Sequence, residues 1–170
     1  MIDINKVRIV EDFPEKGIRF YDITTILNDP ETFEKIFRAL VVAAQQLNPE
    51  VIVGLEARGF YFAPALALAL KIPFAPVRKK GKLPYKTYCA SYALEYGTAQ
   101  IEIHQDAIPF GKRVLILDDI LATGGTASAT AQLVENFKPT SISYLFFMEL
   151  AALEGRKKLG NVPISALFSV

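Results

Sequence analysis

The chain holds one cysteine and one histidine in 170 residues, and those two scarcities close off several chemistries. Cys89 has no second thiol to join, so no internal disulfide is expected and the chain reads as cytoplasmic. His104 and Cys89 supply neither a metal-ligand set nor a nucleophile with its base, and no Ser–His–Asp arrangement stands out. An excess of one charge is also missing. The 19 Lys and Arg face 18 Asp and Glu, a net +1, which argues against a nucleic-acid coat and against an acidic solvating protein. The charge-free run 59–70, 12 residues between Arg58 and Lys71, is too short for a bilayer, which takes about 20. The opening Met1-Ile2-Asp3-Ile4-Asn5 has neither the basic segment nor the apolar core of a secretory signal. Together these absences predict a soluble, cytoplasmic protein with no membrane and no nucleic-acid partner.

What is present suits a globular chain: 51% hydrophobic and 22% charged residues exclude disorder. A chain of 170 residues is about one domain's length, and we expect a single domain over 1–170, without repeat, linker or low-complexity segment. Residues 31–47 carry Phe33, Ile36, Phe37, Leu40, Val41, Ala44 and Leu47 at steps of three and four, the stripe of an amphipathic helix. Asp29 is a good N-cap for it and Pro30 suits its first position. Continuous apolar runs at 51–55 and 114–117 read as buried strands, as does 141–148, and 74–77 and 164–168 are further strand candidates. Residues 59–70 and 126–137 read as helices, and 88–96 with 98–104 as a hairpin around Gly97. Strands alternating with helices predict an α/β fold, a mainly parallel sheet flanked by helices.

The most informative string is Val114-Leu115-Ile116-Leu117-Asp118-Asp119-Ile120-Leu121-Ala122-Thr123-Gly124-Gly125-Thr126. In an open parallel sheet, ligands bind where strand carboxyl ends meet the following helices. Gly124 and Gly125 let N–H groups approach an anion closely, and the helix behind them aims its unpaired N–H groups and positive dipole end at the same place. Thr123 and Thr126 add hydroxyl donors, so the loop forms a phosphate cradle without lysine. Asp118 and Asp119 would repel a phosphate and so should face hydroxyls, either a ribose diol or hydroxyls bridged by Mg2+. A phosphate beside a diol means a sugar phosphate; the plainer alternative is an ordinary strand–helix loop with an aspartate cap. Neither G-x-x-x-x-G-K-[ST] nor G-x-G-x-x-G is present, which points away from nucleotide triphosphate and dinucleotide sites.

This string resembles the PRPP-binding signature of the type I phosphoribosyltransferases. Its companions narrow the resemblance to the adenine phosphoribosyltransferases: Phe13-Pro14-Glu15-Lys16-Gly17-Ile18-Arg19-Phe20-Tyr21-Asp22-Ile23, Gly54-Leu55-Glu56-Ala57-Arg58-Gly59-Phe60, Arg78-Lys79-Lys80-Gly81-Lys82-Leu83-Pro84 and Ser91-Tyr92-Ala93-Leu94-Glu95-Tyr96-Gly97. They cover nearly the whole chain in order. The resemblance implies Mg2+-dependent transfer from PRPP to adenine giving AMP and pyrophosphate, a flexible β-hairpin hood over the site, and a homodimer. In this reading residues Ala122, Thr123, Gly124, Gly125 and Thr126 cradle phosphate, and Asp118 and Asp119 meet the diol. By resemblance a non-proline cis peptide joins Glu56 to Ala57 ahead of Arg58, a pyrophosphate contact.

The remaining residues fit the same substrate. Arg78, Lys79, Lys80, Lys82 and Lys86 put five positive charges into residues 78–86 with no acid, while the rest of the chain carries 14 basic against 18 acidic residues. A leaving pyrophosphate needs such a clamp, for which Arg78 and Lys82 are favoured, although a lysine loop can equally be only solvated. Arg58 at a helix start opposes the dipole there and so needs a partner. The resemblance makes Glu95, beside Tyr96 on the hood, an acid or hydrogen-bond partner at the purine imidazole edge, where an exposed turn glutamate is the plain alternative. It also gives base recognition to Arg19, Phe20 and Tyr21, with Phe20 stacking on the purine rather than serving as a core aromatic. A transferase for a 6-oxopurine or another base remains open, as does a PRPP-sensing regulator, although no DNA-binding segment is visible.

Overall fold

The computed structural model describes residues 4–93 and 98–170, which fall into two compact units, Met1–Ala39 and Leu40–Val170. In the first unit, β1 (Arg8–Glu11) pairs antiparallel with β2 (Arg19–Asp22), and a short α1 (Thr24–Leu27) follows. These strands escape sequence reading because each has four residues with no clean alternation of buried and exposed positions. Helix α2 (Pro30–Leu47) begins at Pro30 as expected. Asp29 caps it, its Oδ1 accepting from the Thr32 N–H at 3.1 Å and its Oδ2 from the Thr32 hydroxyl at 2.8 Å. Bonds from Lys6 and Thr32 hold the Asp29 carboxyl well below the usual carboxylate range. The buried stripe of α2 is Thr32, Ile36, Leu40 and Ala44, spaced by four.

The second unit is built on a seven-stranded sheet of order β5-β6-β4-β3-β7-β8-β9. Its strands are β3 (Val51–Leu55), β4 (Phe74–Lys79), β5 (Thr87–Ala93), β6 (Thr98–His104), β7 (Arg113–Leu121), β8 (Ser141–Glu149) and β9 (Ile164–Ser169). The five strands from β4 to β9 in that order run parallel, and the hairpin β5–β6 joins β4 antiparallel. The mainly parallel α/β sheet is therefore as expected.

Both faces of the central strands are covered, which is why they read as unbroken apolar runs. Val51, Val53, Val114, Ile116, Tyr144 and Phe146 share one core with Leu133 and Val134 of α4 (Gly125–Glu135). Successive strand side chains point to opposite faces, so Leu115, Leu117 and Phe147 lie on the other one, where the Phe62 and Phe147 rings stack with centroids 6.0 Å apart. Gly54 lets α3 (Ala63–Leu70) sit directly on β3, since a Cβ there would be 2.6 Å from the Ala63 Cβ.

Two expectations need correction. Residues 59–70 are not one helix: a 3-10 turn, Arg58–Tyr61, precedes α3, which starts at Ala63 because Pro64 has no N–H to return to an earlier carbonyl. Strand β7 does not end at Leu117 but runs through both aspartates to Leu121, still paired with β8. The charges look like a strand end in sequence, yet ladder bonding is indifferent to side-chain charge.

Candidate functional site

The alternation of β7 decides what its two aspartates do. Asp118 follows Val114 and Ile116 on the α4 side and lines a cavity of about 70 Å³ with residues 120–127 and Phe146. One water needs only about 10–15 Å³, so the cavity has room for a group larger than a water. Asp119, 1% exposed, points the other way and is held by Arg58, with Oδ2 2.7 Å from the Arg58 Nε. The contact is an ion pair rather than a well-aligned hydrogen bond. The structure therefore splits the expected diol pair: one carboxylate enters the cavity and its neighbour secures an arginine. The period-two geometry of a strand forbids adjacent side chains from sharing a face.

Residues 122–126, where a phosphate cradle is expected, form the turn from β7 into α4 and line the cavity. Gly124 takes φ +77°, the left-handed conformation that a side chain disfavours, and α4 starts at Gly125 immediately after it. The first-turn N–H groups of α4 have no intrahelical acceptor and lie beside the cavity, with Ser128 the first to bond back, to the Gly124 carbonyl at 2.9 Å. An anion there meets fixed donors and the positive end of the helix.

Charge on the aspartates is costly without a ligand. Burial, and then the neighbouring Asp119 charge, push the Asp118 carboxyl well above the usual carboxylate range, although its Oδ1 accepts the Asp119 N–H at 2.9 Å. Burial also raises the Asp119 carboxyl, and Arg58 opposes that. Arg58 opens its 3-10 turn after a cis peptide between Glu56 and Ala57, the bond the resemblance implies. Its need for a partner at that helix start is met by Asp119.

The basic segment is built on carboxylates invisible to sequence reading. Arg78 gives Nε and Nη2 to the two Glu56 oxygens at 3.2 and 3.3 Å, and Nη1 to the Lys82 carbonyl at 3.1 Å. Burial works against the Glu56 charge, but Arg78 and the Lys79 N–H prevail and hold that carboxyl below its ordinary value. Glu102, 5% exposed, accepts the Lys82 N–H at 3.0 Å, the Leu83 N–H at 2.9 Å and the Thr87 hydroxyl at 3.4 Å. Lys79, Lys80, Lys82 and Lys86 are exposed, so their ammonium groups face water while two carboxylates hold the backbone beneath them. Arg78 and Lys82, the two residues favoured for the clamp, meet through the Lys82 carbonyl and not through its ammonium.

In the first unit, Arg19 pairs across the strands with Glu11 at 3.1 Å, and Phe20 meets Phe13 edge to face with ring centroids 5.1 Å apart. Glu95 and Tyr96 lie outside the described residues. Among the described residues no three His, Cys, Asp or Glu gather into a metal cluster, and no helix is long and apolar enough to cross a membrane.

Known proteins are similar to this chain in sequence and fold. A family model described as "Phosphoribosyl transferase domain" matches residues 22–162. An adenine phosphoribosyltransferase of Trichodesmium erythraeum is 47% identical over 163 residues, 96% of either chain. The crystal structure of an adenine phosphoribosyltransferase from Thermoanaerobacter pseudethanolicus matches with a TM-score of 0.94 and 46% identity, covering 98% of this chain and 96% of that one. One from Saccharomyces cerevisiae, complexed with D-2,5-dideoxy-2,5-imino-altritol 1,6-bisphosphate and adenine, matches with a TM-score of 0.89 and 45% identity over 96% of this chain and 94% of the other.

Proposed function

We infer the reaction from kin and site together: the chain belongs to the phosphoribosyltransferase family and, within it, to the adenine phosphoribosyltransferases. It is a pentosyltransferase that moves the ribose 5-phosphate group of PRPP to N9 of adenine, giving AMP and pyrophosphate. The observation that carries this reading is the cavity where a neutral glycine cradle, a helix start and one carboxylate converge.

In this reading the 5-phosphate sits on the loop of Ala122, Thr123, Gly124, Gly125 and Thr126, held by backbone N–H groups and the α4 dipole. Asp118 accepts from the ribose hydroxyls, which relieves the penalty of its buried charge. As N9 attacks C1′ with inversion, the bond from C1′ to pyrophosphate breaks and negative charge collects on the leaving group. Arg58, fixed by Asp119, and the basic segment with Arg78 and Lys82 stabilise that charge. Glu95 on the hood takes the role of acid or hydrogen-bond partner at the purine imidazole edge, and hood closure keeps water from the oxocarbenium-like centre. Phe20 stacks on the base, while backbone groups of Arg19 and Tyr21 read its edge: a carbonyl there accepts from the amino group of adenine and opposes a 6-oxo group.

Mg2+ suits this donor set, because it is commonly held by one or two carboxylates with substrate oxygens and water. Asp118 is the residue that would hold it, and the ion would offset the charge of the pyrophosphate. We also propose a cytoplasmic homodimer with residues 1–170 as one domain; the family match at 22–162 runs across both units and supports the latter.

Incubation with PRPP and each purine base in turn, with and without Mg2+, tests the assignment. AMP from adenine, only with the metal, is expected. Product from hypoxanthine with none from adenine overturns the choice of base, and no product from any base overturns the enzyme.

A further inference from the structure

Gly155 and Arg156 lie outside every role assigned so far, yet the phosphate loop rests on them. Gly155 is buried and opens the 3-10 turn Gly155–Lys158 beyond the end of β8. A Cβ on Gly155 would stand 2.2 Å from the Ala122 carbonyl oxygen and 3.1 Å from the Gly124 nitrogen. A Cβ on Gly124 would in turn stand 2.5 Å from the Gly155 carbonyl oxygen. Two backbones thus meet where neither can give way, and the missing side chain of each glycine is filled by the other's main chain.

The next residue locks that turn in place. The Arg156 Nε lies 2.8 Å from both Glu149 oxygens, its Nη2 2.7 Å from Oε2, and its Nη1 donates to the Ile164 carbonyl at 3.1 Å. Glu149 ends β8 and is 7% exposed, so the guanidinium ties the turn to two adjacent strands at once. A second tie runs from the Leu150 N–H to the Leu121 carbonyl at 2.9 Å, just before the loop.

We propose that Arg156 is a positioning residue: gripped by Glu149, it sets the Gly155 backbone against residues 122–124 and holds the loop in the shape that receives the 5-phosphate. The inference rests on the reading of that loop as the phosphate cradle. Its action should therefore show in the affinity for phosphate-bearing ligands and spare the base.

The test is titration calorimetry of the full chain with ribose 5-phosphate, beside steady-state kinetics with PRPP and adenine. Gly155→Ala should weaken ribose 5-phosphate about tenfold or more, and Arg156→Ala should raise the PRPP KM similarly while the adenine KM stays within about twofold. Arg156→Lys, which keeps the charge but loses the fork, should recover part of that loss. A folded Gly155→Ala that binds ribose 5-phosphate like the parent overturns the proposal and leaves the cradle intact. Should Gly155→Ala fail to fold, Arg156→Lys with Arg156→Ala decides: equal losses for PRPP and adenine, or none, overturn it. A parent chain that binds no ribose 5-phosphate removes the cradle reading itself.

Discussion

The two anion sites we propose stand at strand ends of the same sheet and are made in opposite ways. The loop after β7 contains no charged residue from 120 to 127, and offers backbone N–H groups fixed by Gly124, by α4 and by the Gly155 turn. The segment at the end of β4 carries five positive charges in residues 78–86, with exposed lysines on a backbone held by Glu56 and Glu102. Fixed dipoles suit a phosphate that is held but does not react, because they need no rearrangement during the reaction. Long cationic side chains suit charge that appears and then departs. The first site should depend on shape and the second on the summed charge and its anchoring.

The largest effect should come from breaking shape. Gly124→Ala must relieve a 2.5 Å clash and a φ of +77°, and should lower kcat/KM for PRPP by about a hundredfold or more, read in initial-rate assays. Asp118→Asn should come next, with kcat/KM down about ten- to a hundredfold for loss of a charged acceptor. Stability should move the other way. The Asp118 carboxyl lies above its ordinary value in the folded state, so the folded protein binds that proton more tightly than the unfolded chain does. The stability this gives is complete below the unfolded carboxyl pKa near 4 and is lost as pH rises toward the folded value. Asp118→Asn should therefore raise the ligand-free Tm by about 2–4 °C at pH 7, a gain that fades as pH approaches 4 in a thermal-shift series.

In the charged site, anchoring should matter more than any single lysine. Glu102→Gln keeps the single oxygen that both loop N–H groups share but removes its charge and the acceptor of the Thr87 hydroxyl, and should raise the PRPP KM about three- to tenfold in the same kinetic assays. Lys80→Ala removes one solvated charge and should change the PRPP KM less than about twofold at physiological salt. A larger loss for Lys80→Ala than for Glu102→Gln would erase the contrast between anchoring and charge.

The strand, glycine turn and helix start around 114–126 are the most legible part, since glycine, threonine and an apolar run together have few local interpretations. Strands β3, β7 and β8 were legible because burial on both faces writes itself as a continuous apolar run. The first two strands were not, being short and half exposed, and their pairing depends on each other rather than on local pattern. Glu102 alternates in sequence with Ile101 and Ile103, yet it is buried and holds the basic segment from 15 to 20 residues away. Glu56 likewise gave no hint that Arg78, 22 residues on, would be its partner.

Sequence alone determined which chemistry the chain could offer: a neutral glycine-rich loop, two adjacent carboxylates and a knot of cations, beside a single cysteine and a single histidine. Only the tertiary structure decided how those groups are shared out. Strand alternation sends Asp118 to the cavity and Asp119 to Arg58, the carboxylates of Glu56 and Glu102 take hold of the basic segment, and the turn at Gly155 closes on Gly124. The reason is physical. Residue type and local spacing act over a few bonds, whereas the partner of a buried charge or of a bare backbone is chosen by elements that meet only when the sheet has assembled.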